Sequence, residues 1–278
     1  MQVCDFPQGR YGNAIFRYLA SSLFCILYGA QRIYEVTLCD IVFSDIDFID
    51  WSNQVLNDQI PSIDTTKNYL FQGYYQHDAI FLKYKSQLID HIEKNSDDLL
   101  ITDGYKPGGT GIYHYTVAQY VSKYLLHCHA PFPIYDIVVH LRLEDFVYVN
   151  QVLHPKCISD VLDNFANESM CFVVNVPTTL FEHRYINYFK EKYNIVLQSN
   201  DLIIDYHIMK NAKVIVCSRS TMCWSSIFFS NTVKTVFFPH CVHASGPHET
   251  FRTPIENTIP YNVHCATEHE INLFLDTL

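Results

Sequence analysis

The feature that most constrains the fold of this sequence is a regular alternation of short apolar runs with amphipathic helical patterns, which starts after Pro133. Strands that alternate with helices of about ten residues form parallel sheets with helices on both faces, so this half is predicted to be a Rossmann-like α/β domain. The predicted strands are 136–142, 171–176, 194–198, 213–217 and 234–238. The predicted helices are 156–166, 180–192, 201–211 and 221–230.

The first half of the chain carries a weaker version of the same pattern. Residues 1–5 are predicted to form a strand, residues 6–13 a glycine-containing loop, and residues 15–27 a helix that ends near Gly29. Prolines follow the helical pattern that leads up to residue 126, and they mark a domain boundary at Pro133. We therefore expect two α/β domains, at 1–133 and 134–278.

The charge balance argues against one large class of partner. The net charge is −10, so the surface has no general attraction for nucleic acid or for an anionic membrane. A phosphate site would have to be local, built from a few arginine or lysine side chains and from backbone amides.

Ten cysteines are scattered without a CxxC pair, and most lie inside apolar runs, which is typical of reduced core cysteines in a reducing compartment. The N-terminus lacks a signal-peptide pattern, and the longest apolar segment, 14–30, is too short and too mixed to span a bilayer. These features predict a soluble, cytoplasmic protein without a transmembrane segment. Two further clusters, His127-Cys128-His129 and His240-Cys241 with His243 and His248, could ligate a metal, although their spacings match no standard zinc pattern.

A polar cluster ends the strand predicted at 136–142. His140, Arg142 and Asp145 follow a run of β-branched residues, and ligands of open α/β sheets bind at the carboxyl ends of the strands. The planar, permanently charged guanidinium of Arg142 is suited to a diphosphate. A plain surface ion pair is the alternative.

A second cluster, rich in hydroxyl groups, ends the strand predicted at 213–217. The cluster is Ser218-Arg219-Ser220-Thr221, and a helix is predicted to begin at about Thr221 with Ser220 or Thr221 as its N-cap. Backbone amides and hydroxyls at such a helix start can hold a phosphate or a ribose. Ordinary helix capping is the alternative.

Four segments stand in a fixed order along the chain. They are Gly12-Asn13-Ala14-Ile15-Phe16-Arg17-Tyr18, then Gly73-Tyr74-Tyr75-Gln76, then His140 with Arg142 and Asp145, and finally Ser218 with Ser220, Thr221 and Trp224. In this order they resemble the motifs of the α-1,2-fucosyltransferases and, more distantly, of the α-1,6- and protein O-fucosyltransferases. The resemblance covers the chain from residue 9 to about residue 240.

The resemblance implies a GT-B fold, in which two Rossmann-like domains face each other across a cleft. The N-terminal domain would then hold a glycan acceptor and the C-terminal domain a nucleotide-sugar donor, with inverting transfer, no metal ion and no cofactor. The residues expected to contact the donor are Gly12, Asn13, His140, Arg142, Ser218, Arg219, Ser220 and Thr221.

One departure from the family motif affects the donor. The second arginine of the motif is Leu143 here, and its glycine is Glu144. GDP-fucose is the donor by resemblance, whereas the loss of one cation leaves a UDP-sugar such as UDP-xylose as an alternative. A nucleotide- or carbohydrate-binding module that has lost turnover is a second alternative.

Inverting transfer also needs a base to deprotonate the acceptor hydroxyl. Asp78 is the first candidate, because it lies in the presumed acceptor domain beside aromatic residues. Asp103, Asp145 and His140 remain open, and Asp145 has the alternative role of orienting Arg142. A metal-dependent GT-A enzyme that uses Asp45 and Asp47 is a further alternative.

Overall fold

The computed structural model describes residues 1–5, 11–33, 43–44, 46–71, 75–95, 124–199, 201–241 and 255–277. The chain divides into two compact units, Met1–His129 and Ala130–Leu278, where the sequence pattern places the division after residue 133. Each unit contains a parallel sheet connected by helices, which confirms the α/β prediction.

The first unit is built on a four-stranded parallel sheet. Its elements are β1 Gln2–Asp5, α1 Tyr11–Tyr28, β2 Gln31–Ile33, β3 Phe43–Ser44, α2 Phe48–Leu56, β4 Asn68–Phe71, α3 Asp78–Lys83 and α4 Lys85–Asn95. The strand order is β2-β1-β4-β3, so that β1 lies between β2 and β4. The prediction of a first strand is thereby confirmed.

Helix α1 starts earlier than its sequence suggests. Gly12 and Asn13 were expected in a loop, but both lie in the first turn of α1, and this prediction was wrong. The helix is buried along most of its length, from Tyr11 to Cys25, and this burial outweighs the small helix penalty of one glycine. The helix ends as expected, since Gly29 adopts φ +63° and its N–H bonds the Cys25 carbonyl at 2.9 Å.

The second unit contains a six-stranded sheet whose strands are all parallel. The strands of the sheet are β5 Ile137–His140, β7 Met170–Val173, β8 Ile195–Gln198, β9 Val214–Val216, β10 Thr235–Cys241 and β11 Thr258–Val263. Two further short strands, β6 Val152–Leu153 and β12 Cys265–Ala266, pair antiparallel with each other outside this sheet. Its helices are α5 Asp145–Tyr148, α6 Pro155–Leu162, α7 Leu180–Lys192, α8 Leu202–Lys210, α9 Thr221–Phe228 and α10 Glu268–Leu275. The five strands and four helices predicted after Pro133 are all present.

The strand order of this sheet, β11-β10-β9-β5-β7-β8, is the Rossmann order. In chain order, β5, β7 and β8 follow one another toward one edge of the sheet, and β9, β10 and β11 follow one another toward the other edge. The order therefore reverses between β5 and β9, which are hydrogen-bonded neighbours. In open α/β sheets the crevice at such a reversal is where ligands bind.

The core of the second unit is formed by apolar side chains from the strands and from the helices between them. All four residues of β5 and of β7 are buried, as expected for central parallel strands. Trp224 and Tyr206 are among the fully buried side chains.

The prediction of reduced cysteines was wrong for one pair. Cys217 and Cys223 form a disulfide, with their Cα atoms 6.1 Å apart, and both residues are fully buried. The pattern of the sequence contained no CxxC signal because the two cysteines are six positions apart. Within the described ranges, no helix is long and apolar enough to cross a membrane.

Candidate functional site

The two polar clusters predicted from the sequence meet at the reversal of the strand order. His140 ends β5 and Ser218 follows β9, and His140 Nδ1 lies 2.7 Å from Ser218 Oγ. Both side chains are buried. This hydrogen bond joins the carboxyl ends of the two strands, so that the segments after His140 and after Ser218 start from the same place.

The imidazole of His140 is held in its neutral form. Burial, reinforced by the positive charge of Arg142, lowers the pKa of His140 to about 3. A histidine with so low a pKa is a weak proton acceptor, which argues against His140 as the catalytic base. Its bond to Ser218 instead fits a role in holding the two strand ends together.

Arg142 is fixed by two neighbours in its own loop. Its Nε donates to Asp145 Oδ1 at 3.1 Å and its Nη2 donates to Asp145 Oδ2 at 3.2 Å, while its guanidinium lies 5.1 Å from the centre of the Phe146 ring. About a fifth of the Arg142 side chain is exposed. Asp145 thus makes the contact expected of a residue that orients Arg142, and the guanidinium keeps access to solvent.

The two positions that depart from the family motif have a structural explanation. Leu143 is buried and belongs to the apolar core, so a second cation at this position would point away from water. Glu144 adopts φ +39° and ψ −114°, a conformation that favours glycine. Its backbone N–H donates to Glu182 Oε1 at 3.2 Å.

The hydroxyl-rich turn after β9 is held from several sides. Ser220 is the N-cap of α9 and accepts from the Cys223 N–H at 3.4 Å, which confirms the predicted helix start at Thr221. The disulfide between Cys217 and Cys223 encloses the whole turn. Arg219 Nη1 donates to Cys265 Sγ at 3.4 Å, and the buried Tyr261 hydroxyl donates to the Cys217 carbonyl.

In the first unit, the structure brings together two of the predicted motif segments. Gln76 Nε2 donates to Asn13 Oδ1 at 2.8 Å, which connects the segment after β4 to the first turn of α1. Asp78 is the first residue of α3 and is partly exposed. Gly73 and Tyr74, together with Asp103, lie outside the described residues.

Asp47, one of the candidate metal ligands, has a structural role. Asp47 is the N-cap of α2, and its carboxylate accepts from the N–H groups of Ile49 and Asp50 at 3.1 Å each. Asp45 lies outside the described residues, as do His243 and His248. Among the residues that the structure describes, no group of three histidine, cysteine or acidic side chains is placed to hold a metal ion.

The solved structures that this chain resembles include two of one Escherichia coli enzyme. The heptosyltransferase WaaC with ADP has 10% sequence identity and a TM-score of 0.42, with 100% of this chain and 99% of that chain covered. The same enzyme with ADP-2-deoxy-2-fluoro heptose has 6% identity, the same TM-score and the same coverage. A match of this level specifies neither a ligand nor a reaction for this chain.

Comparison by sequence finds no matching family model and no matching curated protein.

Two contributors to the site, Glu182 and Tyr261, could not be identified from the sequence. Glu182 and Tyr261 are separated by 38 and 44 positions from the backbone groups that they bind, so local pattern does not reveal the contacts. The Thr179-x-x-Glu182 capping box is visible in the sequence, but the additional bond of Glu182 to the Glu144 N–H is not.

Proposed function

We propose that this protein is an inverting, metal-independent glycosyltransferase of the GT-B type, which transfers one sugar from a nucleotide-diphosphate sugar to a hydroxyl of a glycan acceptor. The second unit would hold the nucleotide diphosphate and the first unit the acceptor. Fucosyltransferase-like activity follows from the motif resemblance.

One observation carries this proposal. The segments that contain Arg142 and Ser218–Thr221 leave neighbouring strands at the reversal of a Rossmann sheet, and the bond between His140 and Ser218 joins the two strand ends. Ligands of such sheets bind at this place. A cation on one segment and a helix start on the other supply complementary groups for a diphosphate.

The proposed chemistry follows from these groups. As the bond between the sugar and the diphosphate breaks, negative charge develops on the leaving oxygen, and Arg142 with the amides of the turn would stabilise it. Asp78 is the proposed base that takes the proton from the acceptor hydroxyl. Gly12, Asn13 and Arg219 are proposed to contact the donor, as the motif resemblance suggests.

The nucleotide base of the donor is a separate part of the proposal. GDP-fucose is the first candidate, because of the motif resemblance. Burial of Leu143 leaves Arg142 as the cation of this motif segment, which supports testing UDP-sugars such as UDP-xylose beside it. A binding module without turnover is the rival reading.

A nucleotide panel tests the binding half of the proposal. Thermal unfolding is followed with GDP, UDP and ADP, where ADP joins the panel because the heptosyltransferase structures contain it. A ligand that binds only the folded state at a hundred times its Kd stabilises the protein by about 2.7 kcal/mol, and its melting temperature rises. No shift with any of the three would overturn the nucleotide site.

Sugar transfer and sugar hydrolysis test the catalytic half. The donor whose nucleotide gives the shift is incubated with mixed glycan acceptors, with and without a chelator of divalent ions. Transfer that survives chelation supports the proposal. Transfer that stops on chelation favours the metal-dependent alternative, and binding without transfer or hydrolysis over a broad donor panel favours the binding module.

A further inference from the structure

The buried carboxylate of Glu182 accepts hydrogen bonds from two segments of the second unit. Its Oε2 accepts from the Thr178 N–H at 2.8 Å, the Thr179 N–H at 3.0 Å and the Thr178 hydroxyl at 3.1 Å. Its Oε1 accepts from the Glu144 N–H at 3.2 Å. The side chain therefore caps α7 and at the same time binds the backbone of the Arg142 loop.

Glu182 is ionised in this setting. Burial alone would raise the pKa of Glu182, but the hydrogen bonds from Thr178, Thr179 and Glu144 outweigh burial and lower the pKa. A charged acceptor makes stronger hydrogen bonds than a neutral one at the same distance, and the charge of Glu182 therefore assists its contact with the Glu144 N–H.

The backbone that Glu182 binds is one that needs support. Glu144 has φ +39° and ψ −114°, and residues with a side chain adopt this conformation only where the surroundings impose it. The contact from Glu182 is a direct restraint on that residue. Without it, the loop would lose one of the hydrogen bonds that hold this conformation, beside the bond from the Val147 N–H to the Glu144 carbonyl at 3.1 Å.

The position of Glu144 makes this restraint relevant to the candidate site. Glu144 lies between Arg142 and Asp145, whose side chains are paired through two hydrogen bonds. It is also the N-cap residue of α5, which begins at Asp145. A change in the backbone at Glu144 would therefore move Asp145 and, through it, the guanidinium of Arg142.

We propose that Glu182 is a positioning residue for diphosphate binding: through the Glu144 N–H it holds the loop in the conformation that presents Arg142 to the ligand. This inference rests on the proposed function, since it assigns a role within the same site. Glu182 itself does not touch the ligand.

The chain offers a matched control in a second capping box. Thr267 and Glu270 begin α10 in the same way as Thr179 and Glu182 begin α7, with Glu270 Oε2 accepting from the Thr267 N–H and hydroxyl at 2.8 Å each. Glu270 is exposed, and its hydrogen bonds among the described residues are with Thr267. Glu270→Gln therefore removes a capping carboxylate without removing the link to Glu144.

The first experiment tests the link without any ligand. Amide hydrogen exchange is measured over residues 142–148 in the wild type, Glu182→Gln and Glu270→Gln. We expect at least tenfold faster exchange in this segment for Glu182→Gln alone, because the loop loses a charged hydrogen-bond partner. Unchanged exchange in Glu182→Gln would overturn the inference, whether or not the protein binds a nucleotide.

The second experiment tests positioning. For the nucleotide that the wild type binds, Kd is measured for the nucleoside diphosphate and for the corresponding monophosphate. Glu182→Gln should raise the Kd of the diphosphate about tenfold and the Kd of the monophosphate by less. The reason is that binding of the diphosphate depends more on the contact with Arg142 than binding of the monophosphate does. Equal weakening of both, or no weakening of the diphosphate, would overturn the positioning role.

A second-site change separates positioning from a general loss of structure. Glycine adopts positive φ without strain, so Glu144→Gly added to Glu182→Gln should recover part of the diphosphate affinity. No recovery would count against the inference. If Glu182→Gln does not fold, Glu182→Asp replaces it in both experiments, because it keeps the charge and shortens its reach. If the wild type binds no nucleotide, the proposed function itself is overturned. That outcome does not depend on the behaviour of these variants.

Discussion

The imidazole of His140 and the hydroxyl of Ser218 lie 2.7 Å apart, although 78 positions separate them in the sequence. The bond is buried, and it joins the ends of two adjacent strands at the reversal of the sheet. Each strand end carries one half of the candidate site, with Arg142 on one side and the Ser218–Thr221 turn on the other.

Replacing Arg142 tests the cation of the site. Arg142→Ala should weaken diphosphate binding and transfer by about a hundredfold, because one charged donor to developing anionic charge is lost. The fold should survive, since a partly exposed ion pair contributes only about 0 to 1 kcal/mol. Calorimetric titration and thermal unfolding measure the two effects. Arg184→Ala is the control, since Arg184 contacts Asn272 and Asp276, and equal affinities in the two variants would contradict the assignment.

An arginine at position 143, as in the fucosyltransferase motif that the sequence resembles, should destabilise the protein. Leu143→Arg would bury a cation in the core, which costs about 3 kcal/mol or more in unfolding free energy. Leu143→Met, which preserves volume, should cost less than about 1.5 kcal/mol. Urea unfolding measures both variants. A stable Leu143→Arg protein that binds GDP more tightly would show that position 143 can face the ligand.

The depressed pKa of His140 predicts a pH dependence of stability. In the unfolded chain this histidine titrates near pH 6.5, whereas in the folded protein its pKa is about 3, so between these values only the unfolded state takes up the proton. The free energy of unfolding should therefore fall by about 1.4 kcal/mol for each pH unit from 6 to 4 through this group alone. Above pH 7 this contribution is constant and fully present.

The measurement is urea unfolding of the wild type and His140→Gln at pH 4, 5, 6 and 7. All other titrating groups are shared by the two proteins, so the difference between their curves isolates His140. Parallel curves over this range would contradict the buried, neutral histidine.

The disulfide should stabilise the second unit by a moderate amount. Closing the short loop from Cys217 to Cys223 restricts the unfolded chain, which corresponds to about 2 kcal/mol of unfolding free energy. A Cys217→Ser/Cys223→Ser variant should lose this stabilisation. A reductant present during thermal unfolding should lower the melting temperature of the wild type and leave that of the double variant unchanged. Alkylation of both cysteines in denatured, unreduced protein would show that the bridge is absent.

Asp78 is tested by an isosteric change. Asp78→Asn should lower kcat by a factor of about a hundred or more while the affinity for the nucleotide stays the same, because a base acts on the acceptor and not on the diphosphate. Asp50→Asn, on the exposed start of α2, is the control. A normal kcat in Asp78→Asn would remove Asp78 from the mechanism.

The sequence predicts the second unit well because its signals are local. Helix α7 occupies 180–192 as expected, and its start is specified by the capping box of Thr179 and Glu182. The strands around it are recognisable as short apolar runs. Strands β6 and β12 were not predicted. Each has only two residues, which is too few to show the alternation of apolar and polar residues that indicates a strand.

Contacts between residues that are far apart in the sequence could not be predicted in the same way. The helical start of α1 at Tyr11 depends on burial against the rest of the first unit, which overrides the loop preference of glycine and asparagine. The link from Glu182 to Glu144 depends on two loops that meet only in the folded sheet. The types of residue at the site were therefore visible, whereas the contacts that orient them were not.

The Rossmann strand order has a further consequence for how this site comes into being. Because β7 and β8 lie between β5 and β9 in the sequence, the two strand ends of the candidate site become neighbours only when the long-range pairing of β5 with β9 forms. A chain without the docked β9 would lack half of the proposed nucleotide site. Truncation before residue 214 is therefore expected to abolish binding of any nucleotide that the full chain binds, even if the earlier strands still pair.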